Sequence, residues 1–274
     1  MLDRFNRHIN YLRISVTDRC NLRCRYCMPE EGVKLIRHED ILTYDEITAF
    51  TRVAVAAGIS KVRITGGEPL VRKGVTDLVR MLAAIDGITD LSMTTNGIYL
   101  SDHAMALAEA GLMRINVSLD TLDPEKYRYV TRGGDLNAVL HGIEAAQKAG
   151  LRPVKINCVI KSTPDEEDAR EVAGYCMKEG LEVRFIRQMD LASGTFSVVH
   201  GGTGGHCAKC NRLRLTPEGM LRPCLFSDRG FSIRELGAEE ALRQALEAKP
   251  ERGTANRSEE HTSELQSRSE LVCR

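Results

Sequence analysis

The sequence predicts an α/β fold: a partial (β/α)6 TIM-like barrel followed by a small, cysteine-bearing C-terminal extension. Three observations carry that expectation. Six strand-like runs alternate with helix-like runs, most of the helix-like runs end at a glycine, and a glycine-rich stretch without periodicity follows the sixth strand. Repeated right-handed βα units curve into a barrel, and six of them leave open what eight would close.

The elements follow in order. Tyr11–Val16 is an apolar, strand-like run. Thr43-Tyr-Asp-Glu46 has the form of a capping box and opens a helix that stops at Gly58. Lys61–Thr65 reads as a strand, then a helix near Val75–Ile85, a strand at Leu91–Thr95 and a helix near Ser101–Ala110 ended by Gly111. A strand at Arg114–Leu119, a helix around Leu136–Ala149 closed by Gly150, and a strand at Pro153–Ile160 come next. The last pair is a helix near Asp165–Lys178 ended by Gly180 and a strand at Glu182–Ile186. Phe196–His206 reads as a connecting loop, and Pro217-Glu-Gly219 between two short β-like runs as a hairpin turn. Residues 1–190 are thus expected to form the barrel, 191–257 the extension, and 258–274 a non-native or disordered tail.

Composition narrows the function classes. The 274 residues carry 38 basic and 38 acidic side chains, so no global field favours nucleic acid or a membrane surface. No apolar run approaches the ~20 residues a bilayer span needs, and the first eight residues are too charged for a signal peptide. A cytoplasmic protein is expected, with its nine cysteines as ligands or reduced packing residues; Cys158 and Cys176 fall in the second class.

Six of those cysteines form two triads. Cys20, Cys24 and Cys27 follow the first strand directly, in a Cys-x3-Cys-x2-Cys loop without an adjacent histidine. Zinc ligands usually come as pairs from two separated places, whereas iron–sulfur clusters are held by thiolates. Three thiols can hold three irons of a four-iron cubane, leaving the fourth iron open to a small molecule. Cys207-Ala-Lys-Cys210 and Cys224 make the second triad, which the hairpin would draw together. Spacing alone leaves zinc open there, with His206 or His200 as the fourth ligand, although His206 abuts Cys207 awkwardly.

The first triad, with Tyr26 before its last cysteine, resembles the signature of the radical S-adenosylmethionine enzymes. That resemblance implies a barrel of the radical SAM type. It also implies a cluster whose open iron chelates S-adenosylmethionine and whose electron splits the sulfonium, giving a 5′-deoxyadenosyl radical. Gly66, Gly67 and Glu68, just after the second strand, resemble the family segment that binds the methionine amino group. The glycines are expected to let backbone approach the ligand closely.

Two triads together, with Arg212-Leu-Arg214 after the second pair, resemble the GTP 3′,8-cyclase family of molybdenum cofactor biosynthesis from about Asn10 to Arg229. That likeness implies two 4Fe-4S clusters, on Cys20, Cys24 and Cys27 and on Cys207, Cys210 and Cys224. Cys20, Cys24, Cys27, Arg212 and Arg214 would be the catalytic set. Tyr26, Gly67, Ser118 and Met189 would contact S-adenosylmethionine; Arg13, Arg63, Thr94, Lys155, Arg212 and Arg214 would contact GTP. A lyase reaction closing ribose C3′ onto guanine C8 would follow, with a downstream cyclic pyranopterin monophosphate synthase, an electron donor and a possible homodimer as partners. The chemistry suits the residues, because a triphosphate carries about four negative charges and guanidinium forks match its oxygens. No Walker A loop is present to hold it otherwise. For Ser118 and Asp120 a helix-capping role stays open. An alternative is another radical S-adenosylmethionine enzyme with an auxiliary cluster, such as a peptide-modifying maturase. Two features depart from the cyclases: a short connection from Met189 to Cys207, and an end without the family's Gly-Gly, which is expected to reach the active site.

Overall fold

The computed structural model describes residues 1–189, 196–227 and 229–253. The expected tail at 258–274, Cys273 and the boundary at 190/191 lie outside them. Six parallel strands run in chain order: β1 (Tyr11–Ser15), β2 (Lys61–Thr65), β3 (Asp90–Thr95), β4 (Arg114–Ser118), β5 (Val154–Ile160) and β6 (Glu182–Arg187). Between them lie α1 (Tyr44–Ala56), α2 (Val75–Ala83), α3 (Leu100–Glu109), α4 (Pro124–Thr131), α5 (Leu136–Lys148) and α6 (Glu167–Glu179). The extension adds β7 (Arg212–Leu215), β8 (Met220–Arg222), β9 (Phe231–Ser232) and α7 (Ala238–Glu247). Among the described residues all nine strands make one sheet in the order β6-β5-β4-β3-β2-β1-β7-β8-β9, an open barrel.

Local sequence explains most of this. Thr43 accepts from the Glu46 backbone while the Glu46 carboxylate accepts from the Thr43 backbone, completing the capping box of α1. Gly58, Gly111, Gly150 and Gly180 all adopt positive φ, the left-handed conformation that ends a helix and that glycine reaches without Cβ strain. The expected hairpin forms, pairing Arg214 with Arg222 and Leu215 with Leu221.

The strands alternate. Leu12, Ile14, Val62, Ile64, Leu91, Met93, Ile115 and Val117 are buried in the core. The intervening residues face a cavity: Tyr11 and Arg13, Lys61 and Arg63, and further along Arg114 and Arg184. The core of this barrel therefore sits between sheet and helices, while the concave face is polar. The extension shares that pattern, because β7 pairs in parallel with β1 and buries Leu213 and Leu215 alongside Leu12 and Ile14.

Two helices escape the sequence reading. α4 buries only Tyr127 and Thr131 and has little apolar stripe to detect. α7 lies past the last cysteine and buries Ala241, Leu242 and Ala245. Because Leu213 is fully buried where β7 meets β1, Leu213→Ala is expected to cost about 2–5 kcal/mol. Chemical denaturation of the purified chain would show this as a lower midpoint at an unchanged slope.

Candidate functional site

The cavity opens on the concave face and measures about 380 Å³, within the range of small-molecule sites. Register sets its chemistry. Arg13 on β1 stands opposite Arg63 on β2 and Arg214 on β7, so three arginines lie abreast. One step earlier, Tyr11 stands between Lys61 and Arg212. The guanidiniums of Arg63 and Arg212 lie 5.5 and 5.7 Å from the Tyr11 ring centre, where the ring face attracts cations. Arg114 forms a bidentate pair with Asp90 at 2.7–2.8 Å. Among the described residues no carboxylate lies within ion-pair distance of Arg63, Arg184 or Arg212. Burial, then repulsion from Arg13, Arg114 and Arg184, lowers the Arg63 guanidinium to about 9 despite the nearby Tyr11. A face this electropositive is built for a polyanion.

The first triad occupies the loop after β1, at the C-terminal end of the strands. Cys27 and Met28 backbone amides both donate to the Cys24 carbonyl, and the carbonyls at the end of α4, Val130 and Thr131, accept from Arg25 and Arg23. Gly66 and Gly67 are closely packed against backbone. A Cβ on Gly67 would lie 2.2 Å from the Arg19 carbonyl oxygen, and one on Gly66 2.8 Å from that of Thr17. What presses on these glycines is the backbone leading into the cysteines.

Glu68 is buried, and its carboxylate accepts from Leu70 N, Thr95 Oγ1 and Asn96 N at 2.6–3.0 Å. Asn96 in turn donates through Nδ2 to Asn21 Oδ1 at 2.8 Å and to Cys20 Sγ at 3.8 Å. Burial outweighs those bonds and raises Glu68 to about 7. Tyr26 Oη donates to Asp120 Oδ2 at 2.9 Å, and Val159 N donates to Asp120 Oδ1 at 2.8 Å. Asp120 is thus a tether, and the residue that caps the next helix is Asp123. Ser118 closes β4.

The second triad lines the cavity, as does Met189. Cys207 and Cys210 bracket a short 3-10 turn, and Cys224 follows β8. Burial alone would raise the Cys210 thiol, yet Lys249, Arg212 and Arg214 bring it below its ordinary value, towards the thiolate that binds metal. Burial raises Cys224, and it lifts the core thiol of Cys176 to about 12, as befits a packing residue. Among the described residues no three histidine, cysteine or acidic side chains converge on a single-ion site. A cubane takes each thiolate on a different iron, so its ligands need not meet at one point.

Of the expected GTP contacts, Lys155 and Thr94 lie outside the cavity lining, as do the first triad and the expected S-adenosylmethionine residues Tyr26, Gly66, Gly67, Glu68 and Ser118. Lys155 is ion-paired with Glu182 on the neighbouring strand, and Thr94 is buried with its Oγ1 lacking a hydrogen-bond partner. Conversely, Tyr11, Lys61, Arg184 and Arg187 line the cavity without having been singled out. Their signal was present as a polar or basic residue at every second strand position, as in Tyr11-Leu-Arg13 and Lys61-Val-Arg63. Tyr11 Oη and Arg184 Nε are buried without partners.

Comparisons agree with this geometry. The chain matches the radical SAM superfamily over residues 14–176 and Molybdenum Cofactor Synthesis C over residues 162–263. It is 46% identical to the GTP 3′,8-cyclase of Moorella thermoacetica, covering 85% of this chain and 86% of that one. Against the GTP 3′,8-cyclase of Geobacter sulfurreducens it is 40% identical, covering 92% and 93%. The Moorella alignment runs over 279 positions, more than the 274 residues of this chain, so that relative has residues for which this chain has none. Among solved structures, Streptococcus suis SuiB bound to S-adenosylmethionine gives a TM-score of 0.64 at 15% identity, covering 83% of this chain and 64% of that one. The enzyme anSMEcpe with bound AdoMet gives 0.62 at 14%, covering 88% and 81%.

Two outcomes test the site. Gly67→Ala forces the cysteine loop away and is expected to cost about 1–3 kcal/mol and to lower iron uptake per chain on anaerobic reconstitution. Glu68 holds its proton in the folded chain up to about 7, against an ordinary 4.5. The folded state therefore binds more protons between those values, and stability falls as pH rises through them. The melting temperature of Glu68→Gln minus that of wild type should grow from pH 4.5 to 7 and level off above.

Proposed function

The chain belongs to the radical S-adenosylmethionine superfamily and, within it, to the GTP 3′,8-cyclases of molybdenum cofactor biosynthesis, and we propose that its arginine row holds the triphosphate of GTP. The single observation that carries this is the register placing Arg13, Arg63 and Arg214 abreast. The residues fit the implied groups. The thiols of Cys207, Cys210 and Cys224 on the cavity wall and those of Cys20, Cys24 and Cys27 in the loop after β1 suit two open cubanes, and buried Tyr11 Oη and Arg184 Nε, without hydrogen-bond partners, suit an anionic, hydrogen-bonding ligand.

When bound, the first cluster and S-adenosylmethionine would supply the radical that removes hydrogen from ribose C3′, and closure onto guanine C8 followed by uptake of one electron and one proton from the electron donor and solvent would give 3′,8-cyclo-7,8-dihydro-GTP. The chain supplies position. Cys20, Cys24 and Cys27 would hold the first cluster at the strand ends, with Gly66, Gly67, Tyr26, Ser118 and Met189 around S-adenosylmethionine. Glu68 fixes Asn96, and Asn96 steadies Cys20. Arg13, Arg63, Arg212 and Arg214 would orient the nucleotide, whose guanine then meets the second triad of Cys207, Cys210 and Cys224. Lys155 reaches GTP only by leaving Glu182, and Thr94 serves through its buried hydroxyl. A downstream synthase producing cyclic pyranopterin monophosphate, an external electron donor, a cytoplasmic setting and a homodimer complete the proposal. Among the described residues no helix is long and apolar enough to cross a membrane.

The test is anaerobic turnover of reconstituted protein with S-adenosylmethionine, a reductant and GTP deuterated at C3′. Deuterium should appear in the released 5′-deoxyadenosine. Formation of unlabelled 5′-deoxyadenosine regardless of GTP would sink the substrate assignment and favour a peptide-modifying maturase. Removing one charge-assisted contact costs about 1.5–3 kcal/mol. Arg13→Ala should therefore lower kcat/KM for GTP by about 10- to 150-fold, with the loss mostly in KM.

A further inference from the structure

Lys249 follows α7 and is 1% exposed. Its ammonium has three donors, and each has a partner. Nζ lies 2.7 Å from the Arg212 carbonyl, 2.7 Å from the Pro223 carbonyl and 3.6 Å from Cys210 Sγ. The two carbonyls belong to the residues that start β7 and precede Cys224, so one side chain ties both arms of the second triad. Among the described residues no carboxylate lies within ion-pair distance of this lysine. A buried cation without a counter-charge is costly, and the group the structure places at its third donor is the Cys210 sulfur. From the other side Arg7, also buried, donates to the carbonyls of Cys207, Pro250 and Glu251 at 2.7–3.0 Å. That contact fixes the segment on which Lys249 is carried.

We propose that Lys249 is the built-in counter-cation of the second iron–sulfur site, a positioning residue that donates to the Cys210 sulfur and raises the reduction potential of the group held there. The proposal rests on the reading of Cys207, Cys210 and Cys224 as cluster ligands. Reduction adds negative charge to a cluster, so a fixed positive charge and a hydrogen bond to sulfur favour the reduced form. Glutamine at the same position keeps a donor, one carbon shorter, and removes the charge.

The experiment uses the full chain with Cys20→Ala, Cys24→Ala and Cys27→Ala, so that only the second triad can load. It is reconstituted anaerobically with iron and sulfide, with Lys249 and with Lys249→Gln, and each is assayed for iron and sulfide and titrated by EPR against dithionite. Equal loading is expected, with the reduced-to-oxidised ratio of the Gln form about tenfold lower at a fixed poise, which is about 59 mV for one electron. If the Lys249 chain takes up no cluster, the ligand assignment falls and this proposal with it. If both load and titrate together, the ligand assignment stands and the proposal alone is overturned. Should the Gln form fail to load, the Lys249 chain decides alone. With ¹⁵Nζ-lysine, pulsed EPR of the reduced cluster should show a nitrogen coupling, and its absence overturns the proposal.

Discussion

Everything at this site depends on one electrostatic constraint: parallel register sets three arginines side by side on adjacent strands. Neighbouring strands stand about 4.8 Å apart, so like charges abreast repel unless the heads diverge or something anionic lies between them. The chain relieves the strain only in part. Tyr11 offers its ring to Arg63 and Arg212, and Asp90 neutralises Arg114, but no carboxylate is supplied to Arg63, Arg184 or Arg212 among the described residues. Folding therefore gathers positive charge on one face, the kind of field that attracts a polyanion.

Such a row needs a stiff support, and the same strands provide it. Each basic residue is flanked by side chains locked into the core: Leu12 and Ile14 around Arg13, Val62 and Ile64 around Arg63, Leu213 and Leu215 around Arg214. The extension contributes to the row because β7 continues the sheet past β1. The arginines of the extension are thereby carried on the same sheet as those of the barrel. Arg234 adds a tie at the rim, pairing with Glu46 at the start of α1. That contact, with the Thr43 bonds, holds the Glu46 carboxyl at about 2.

The local part of this design was legible. Capping at Thr43, the stop glycines and the Pro217-Glu-Gly219 hairpin are each encoded within a few residues, and each formed. Non-local features were not. Nothing within Arg212-Leu-Arg214 says that it will pair with Tyr11-Leu-Arg13 two hundred residues earlier, so the arginines could be assigned to the mouth by resemblance but not set abreast. Gly66 and Gly67 read as room for a ligand, and their packing against the backbone of Thr17–Arg19 was not legible, because that contact is not local in sequence. The ion pair of Lys155 with its strand neighbour Glu182 was likewise not legible, because it depends on the pairing of β5 with β6. Lys249 gave no signal at all, because a lysine after an amphipathic helix ordinarily points to water.

Both cysteine triads lie in irregular loops with few internal hydrogen bonds, and their order is borrowed from afar. The first is braced by the end of α4, by Arg132 bonding to the Arg23 and Met28 carbonyls, and by Asn96 held through Glu68. The second is braced by Arg7 from the N-terminus and Lys249 from the far side of α7. These braces come from segments that contribute no thiol, and α4 and Lys249 are among the features that periodicity did not reveal. Loops that must admit metal and substrate gain little from being rigid by themselves, since their own backbone would then compete for the space the ligands need. Rigidity imposed from neighbouring elements keeps the thiols in place while the cavity face stays clear. That division explains why the residues of least apparent purpose in the sequence stand closest behind the cysteines.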